Sequence, residues 1–298
     1  MFYEHDIIFS IIIPLYNKEP YIANTLNSVI SQIDVKQELY EVIIVNDGSL
    51  DQSKEEVLNF IDSELGNKVS IHLFEIENAG VSNARNIGIS KAKGEFVCFL
   101  DADDMWHERY LSTLLKQISM DTHLNILATN YEITDAPILN NVIHPTFNKK
   151  NYIVDKLNIN SSSICVRRSI FEDEFFLFDI SQSHGEDTDV WFRLSLYFDT
   201  LYTDSKLSFY NNCVVGSAVN SLQKLNSSAI LEKNFLSKNN RNIHCRELLI
   251  SRIEEIRVKY VISCLKRLKL KLLLTNLLNI NDYRYFISEF ARKINKVL

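Results

Sequence analysis

The alternation of apolar patterns in the first hundred residues constrains this chain more than any other feature. Four β-branched-rich runs of strand length are IIFSIIIPLY (7–16), EVIIVND (41–47), VSIHLFEIE (69–77) and EFVCFL (95–100). Between them, residues 20–32, 49–62 and 78–94 place apolar side chains at helical spacing. Ile22, Leu26, Val29 and Ile30 share one face of the first stretch; Val57, Leu58 and Ile61 share one face of the second. A strand apolar at nearly every position must be covered on both faces, and strands joined through helices run parallel. The expectation is a Rossmann-like α/β domain, its mostly parallel sheet flanked by helices on both faces. Pro20 suits a first helical turn, Ser49 an N-cap and Gly94 a C-cap. Ligands of such sheets bind beyond the carboxyl ends of the strands, and Asp47 and Asp101 both fall at those ends.

Further along, residues 108–118 read as a helix and 125–134 as a strand. Residues 134–151, polar and with two prolines, read as a loop. Residues 161–168 are strand-like, and 186–198 form an amphipathic helix with Val190, Leu194 and Tyr197 on one face. From about 222 the pattern turns all-helical, which divides the chain into a domain over 1–221 and a C-terminal helical extension over 222–298.

With 46% hydrophobic and 23% charged residues the chain has a soluble, globular composition, and no apolar run approaches the ~20 residues that span a bilayer. MFYEHDII carries acids where an export signal would be positive. Five scattered cysteines without a CxxC pair indicate reduced thiols, hence a cytoplasmic protein with neither a disulfide framework nor a zinc site. The net charge is −6, although residues 251–298 hold 11 Lys/Arg against 4 Asp/Glu. The acidic body is a poor partner for nucleic acid. The basic, Leu-rich tail either packs on the domain or contacts an anionic membrane surface.

With seven glycines in 298 residues, no GxGxxG or P-loop can be drawn, and HExxH and GxSxG are absent. The remaining chemical signal is FVCFLDADDMW (96–106), a buried strand that runs straight into Asp101, Asp103 and Asp104. Carboxylates so close raise one another's pKa and are costly to bury while charged. A divalent cation removes that cost, since Mg²⁺ and Mn²⁺ take one or two carboxylates and complete their shells with water and phosphate oxygens. An acidic loop that caps the next helix is the alternative.

FSIIIPLYNKEPYIANTLNSVISQ, YEVIIVNDGSLDQS, NAGVSNARNIGISKAKGEFVCFLDADD and HGEDTDVWFRL occur in that order and together resemble glycosyltransferase family 2 over roughly residues 8 to 210. The resemblance implies a GT-A fold, with a nucleotide-binding half at about 7–104 and an acceptor-side half at about 105–221. It places Pro14, Leu15, Tyr16 and Asn17 at the base and ribose of a donor nucleotide. Asp47 then accepts an N–H from the base, and Arg85 lies near base and phosphates. Asp101 and Ala102 join the donor site, and Asp103 becomes the ligand of a Mn²⁺ or Mg²⁺ cofactor. Asp187 matches the catalytic base, with Glu186 its competitor and Asp189 pointing elsewhere. His184, Trp191 and Asp104 are secondary candidates: His184 for phosphate or metal, Trp191 as a sugar platform or as core, Asp104 as a helix cap. Asn78 and Gly80 precede the Arg85 helix at a tight turn. Glu108 stands where the family often has proline, which touches loop shape only.

The implied activity is inverting, metal-dependent transfer of a sugar from a nucleotide diphosphate sugar, a UDP-sugar favoured, to an acceptor hydroxyl. Within the family the implied acceptor is a glycan or lipid-linked glycan of bacterial surface polysaccharide (O-antigen or capsule) assembly at the cytoplasmic face of the membrane. Two alternatives stay open: an inactive nucleotide-binding scaffold, and a sugar-phosphate nucleotidyltransferase. PLYNKEP lacks the glycine-rich loop the latter normally carries.

Overall fold

The computed structural model describes residues 7–134, 137, 143–152, 155, 157–181 and 185–211. His184, the expected boundary at 221/222, the helical extension over 222–298 and the basic segment lie outside the described residues. Among the described residues no helix is long and apolar enough to cross a membrane.

Strands Phe9–Leu15 (β1), Tyr40–Asp47 (β2), Ser70–Ile76 (β3) and Phe96–Phe99 (β4) alternate with helices Ile22–Ile30 (α1), Ser53–Ile61 (α2) and Val81–Lys91 (α3). They form parallel ladders in the order β3-β2-β1-β4. Every residue of β1 and β2 is buried, as continuous apolar runs require, whereas edge strand β3 is only partly covered. Because side chains alternate across a strand, Ile11, Ile13 and Leu15 enter a core with Leu26 and Val29 of α1. Ile12 enters a second core on the opposite face, with Ala84 and Ile89 of α3. Each wholly buried isoleucine contributes roughly 1.5–3 kcal/mol, so both faces of β1 hold the sheet.

The sheet continues through Met105–Trp106 (β5), helix Tyr110–Met120 (α4), Ile126–Ile133 (β6), Phe147–Lys150 (β7), Ile164–Arg167 (β8), helix Glu186–Ser195 (α5) and Thr200–Tyr210 (β9). Beyond β4 the order is β8-β6-β9-β5, with β7 on the side of β9. β8 is antiparallel to both β4 and β6, so the sheet is mixed in this half. Cys98 and Cys165 sit opposite each other in the β4–β8 ladder as free, buried thiols.

Several local expectations are corrected. The stretch expected as a loop contains β7, and β9 carries no apolar alternation that announces it. Helix α5 stops at Ser195, leaving Tyr197 exposed beyond its end. Pro20 precedes α1, whose N-cap is Tyr21, rather than lying in its first turn; Gln52, not Ser49, is the N-cap of α2; and α3 ends at Lys91 with Ala92 as its C-cap, before Gly94. Gly94 has a different requirement. A Cβ there would lie 2.6 Å from the Ser10 backbone nitrogen, because the chain passes directly against β1.

Candidate active site

At the carboxyl ends of β1, β2 and β4 lies a cavity of about 440 Å³, walled by Pro14, Leu15 and Tyr16 on one side and by Asp101, Ala102 and Asp103 on the other. Asp47, Arg85 and Glu186 also line it. The predicted crevice is therefore where the sheet topology placed it.

Asp47 ends β2 and accepts backbone N–H groups from Ala79 (2.7 Å) and Gly80 (2.9 Å), while Asn78 Nδ2 donates to its carbonyl (3.1 Å). These bonds shape the entry to α3. Gly48 (φ 69°) and Gly80 (φ 91°) take the left-handed conformations this turn requires. Each carboxylate oxygen keeps a lone pair for a ligand.

One turn into α3, the buried guanidinium of Arg85 donates to Asp101 Oδ1 and to Glu186 Oε1, both at 2.8 Å. Burial opposes its charge, but Asp101, Glu186 and Asp187 outweigh that cost and hold it firmly protonated. Arg85 thus ties the end of β4 to the start of α5. Phe178 lies against it, 5.2 Å from ring centroid to guanidinium carbon.

The DADD turn is held from outside. Ser162 Oγ accepts from Asp101 N (3.1 Å) and donates to Asp104 Oδ2 (2.5 Å), and Thr25 Oγ1 donates to the Ala102 carbonyl (2.9 Å). Asp104 also accepts from Asn211 N (3.1 Å). It is fully buried behind the cavity wall, and burial with the charges of Asp101 and Asp103 pushes its carboxyl well up. Its place is that of a brace between the turn, Ser162 and the end of β9. Asp103 faces the cavity, and Lys18 Nζ donates to its Oδ2 at 2.5 Å. Burial raises the Asp103 carboxyl despite Lys18, and Asp101 adds to the rise.

Gly185, left-handed at φ 74°, starts α5. Glu186 is held by Arg85, whereas Asp187 is held by its own neighbour: Thr188 N (2.6 Å) and Oγ1 (3.3 Å) donate to its Oδ1. Burial, then the Glu186 charge, push the Asp187 carboxyl up to about 6, although Arg85 pulls the other way. Asp189 turns away, as expected, into a buried pair with Arg193 (2.5 Å). Trp191 packs in the core with Phe99 and Phe178, off the cavity wall. Asn17, with φ 50°, is not on that wall either. It stitches two strand-end loops, donating from its N to Ser49 Oγ (3.1 Å) and accepting at Oδ1 from Leu50 N (2.7 Å).

Three contributors escaped the sequence reading. Lys18 meets a carboxylate 85 positions away. Tyr210 lines the cavity, and Tyr131 lies beside it, ring centroids 6.2 Å apart, where register shifts bulge the β6–β9 ladder. Burial raises the Tyr131 phenol, and Asp187 and Asp104 raise it further.

Among the described residues no group of three or more His, Cys, Asp or Glu is arranged to hold a metal. Asp101 and Asp103 nevertheless supply the hard oxygen donors that Mg²⁺ or Mn²⁺ takes when phosphate and water fill the rest of its shell. Four carboxylates on the wall against two cations leave charge for such an ion to neutralise.

Parallel strands with acids at their carboxyl ends, continued by a mixed sheet that delivers α5 to the same cavity, define a GT-A-like α/β fold. The chain belongs to glycosyl transferase family 2, whose family model matches residues 10–175. It is 38% identical over 122 residues to glycosyltransferase GlyA of Streptococcus pneumoniae, a match covering 41% of this chain and 16% of that protein. It is 30% identical over 193 residues to the Escherichia coli UDP-Glc:alpha-D-GlcNAc-diphosphoundecaprenol beta-1,3-glucosyltransferase WfgD, covering 63% of this chain and 70% of that one. The crystal structure of S. aureus TarS 1-349 in complex with UDP-GlcNAc superposes with a TM-score of 0.60 at 19% identity, over 97% of this chain and 72% of that one. At that identity the superposition establishes the shared fold.

Proposed function

We propose that this protein transfers a sugar from a nucleotide diphosphate sugar, a UDP-sugar by preference, to a hydroxyl of a glycan or lipid-linked glycan in bacterial surface polysaccharide assembly. The observation that carries the reading is the convergence of Asp47, Arg85, Asp101, Asp103 and Glu186 on one cavity; Asp187 is not among its lining residues but follows Glu186 and feels the charges of Arg85 and Asp101. The UDP-GlcNAc complex of the TarS fold relative and the UDP-Glc donor and diphosphoundecaprenol acceptor in the WfgD name support the choice of donor and acceptor.

In this reading Pro14 and Tyr16 flank the base and Asp47 accepts its N–H. Arg85 faces the phosphates and holds Asp101 and Glu186 in place. Asp103, with Asp101, would hold a Mn²⁺ or Mg²⁺ ion, which would supply neutralisation of charge on the leaving diphosphate. The acceptor oxygen forms its bond to sugar C1 as the C1–O bond to the diphosphate breaks. The electron pair leaves on the diphosphate, and the acceptor proton goes to Asp187. A single displacement of this kind inverts C1. With a carboxyl raised to about 6, Asp187 is a better base at neutral pH than an ordinary aspartate while still being ionised. The basic segment 251–298 would hold the protein at an anionic membrane surface on the cytoplasmic side.

Asp103→Asn tests the reading. Calorimetry of UDP binding with and without Mn²⁺ should show enhancement by the metal in the wild type and none in the variant, with an unchanged melting profile. Equal metal enhancement in both proteins would remove Asp103 from the site.

A further inference from the structure

We propose that Lys18 is a cation for the donor diphosphate that shares Asp103 with the divalent ion by exchange. It holds Asp103 in the free protein and turns to the phosphate oxygens when a diphosphate arrives, leaving that carboxylate to the ion. The inference rests on the nucleotide-sugar reading of the cavity and assigns a residue that reading leaves unused.

The backbone around Lys18 is pinned. Its N–H donates to Ser53 Oγ (2.7 Å), and its carbonyl accepts from Tyr21 N (2.9 Å) and Ile22 N (3.0 Å) at the start of α1. Asn17 before it is locked in a left-handed conformation by Ser49 and Leu50. These bonds aim the lysine stem onto the cavity wall and leave its four-carbon chain as the part able to move. Arg85, in contrast, is committed to two carboxylates at 2.8 Å. The Lys18 ammonium has one carboxylate partner and three donors, so two donors remain for a ligand. Lysine suits such a change of partner, being a compact charge on a flexible stem.

Exchange follows from the distances. The ammonium stands 2.5 Å from Asp103 Oδ2, and Mg²⁺ binds a carboxylate oxygen at about 2.1 Å. Both cations draw on the same carboxylate and repel each other at this range, so ion binding at Asp103 and the Lys18 pair oppose each other. Linkage makes the effect reciprocal: Lys18 weakens binding of the ion alone and supports the diphosphate when no ion is present.

The full chain is tested as Lys18→Met and Lys18→Gln, each first compared with wild type by thermal melting, so that one folded variant suffices. Mn²⁺ alone is titrated by electron paramagnetic resonance, and UDP is titrated calorimetrically in EDTA. The expected result is Mn²⁺ affinity about tenfold higher and metal-free UDP affinity about tenfold lower than in wild type, within the range of ordinary coupling energies. If either affinity is unchanged in a folded variant, the exchange is overturned. Failure of the wild type to bind UDP or GDP, with or without Mn²⁺, would instead bring down the nucleotide-sugar reading and this assignment with it.

Discussion

Replacing Arg85 by methionine tests the joint between the two halves of the domain. The guanidinium is 3% exposed and forms ion pairs at 2.8 Å with Asp101 and Glu186, whose side chains are 31% and 12% exposed. Methionine retains most of the length and removes the charge, so two carboxylates lose their shared partner. Stranding one member of a buried pair typically costs 3–5 kcal/mol. Asp101 is near enough to water to recover part of that, so the loss is expected at the lower end, about 3 kcal/mol. For a domain of this size the midpoint should fall by about 6–12 °C. Thermal melts followed by far-UV circular dichroism, backed by urea titration, measure it. Arg85→Lys keeps one charge but cannot bridge both acids, so it should fall between the two. A methionine variant melting within about 2 °C of wild type would mean that the triad contributes little and that burial has not raised its worth above that of a surface pair.

Asp187→Asn should leave UDP binding nearly intact and lower transfer about 10²–10⁴-fold, while Glu186→Gln costs less; the reverse order would name Glu186 as the base. Only ionised Asp187 accepts a proton, so wild-type transfer should rise with pH up to about 6 and then level, and a flat profile below that point would refute the assignment. The stability sign is opposite. A carboxyl raised in the folded state favours folding at low pH, and that contribution is lost as pH rises through about 6. Gly88→Ala places a Cβ 2.4 Å from Ile12 Cγ2 in the core between α3 and β1. Overpacking should destabilise the chain by about 1–3 kcal/mol, partly offset by alanine's helix preference; a denaturant midpoint at or above wild type would refute the close approach.

The first half of the sheet was legible because β1, β2 and β4 are buried on both faces. Burial of that kind demands the apolar, β-branched runs seen in β1, β2 and β4, and a parallel sheet leaves its strand-end acids at a ligand crevice. The turn of Asp189 away from the cavity was expected from its place on the helix, whereas Trp191, open between sugar platform and core, was placed in the core only by the structure. β9 was not legible: TLYTDSKLSFY is largely polar, and its pairing with β6 passes through register shifts that break any simple alternation. Caps were misjudged for a related reason. Ser49 and Gly94 have the residue types of helix ends, but Ser49 accepts from Asn17 N and Gly94 clears the backbone of β1, both across more than 30 positions of chain. Sequence by itself determined which side chains must leave water and, through the period of that pattern, the order of elements and the end of the sheet where chemistry gathers. Only the tertiary structure decided that Lys18 meets Asp103, that Arg85 joins Asp101 to Glu186, and that Asp104 braces the turn from behind. Those pairings depend on which distant carboxylates and cations the folded backbone brings within hydrogen-bonding distance, and local periodicity carries no information about that.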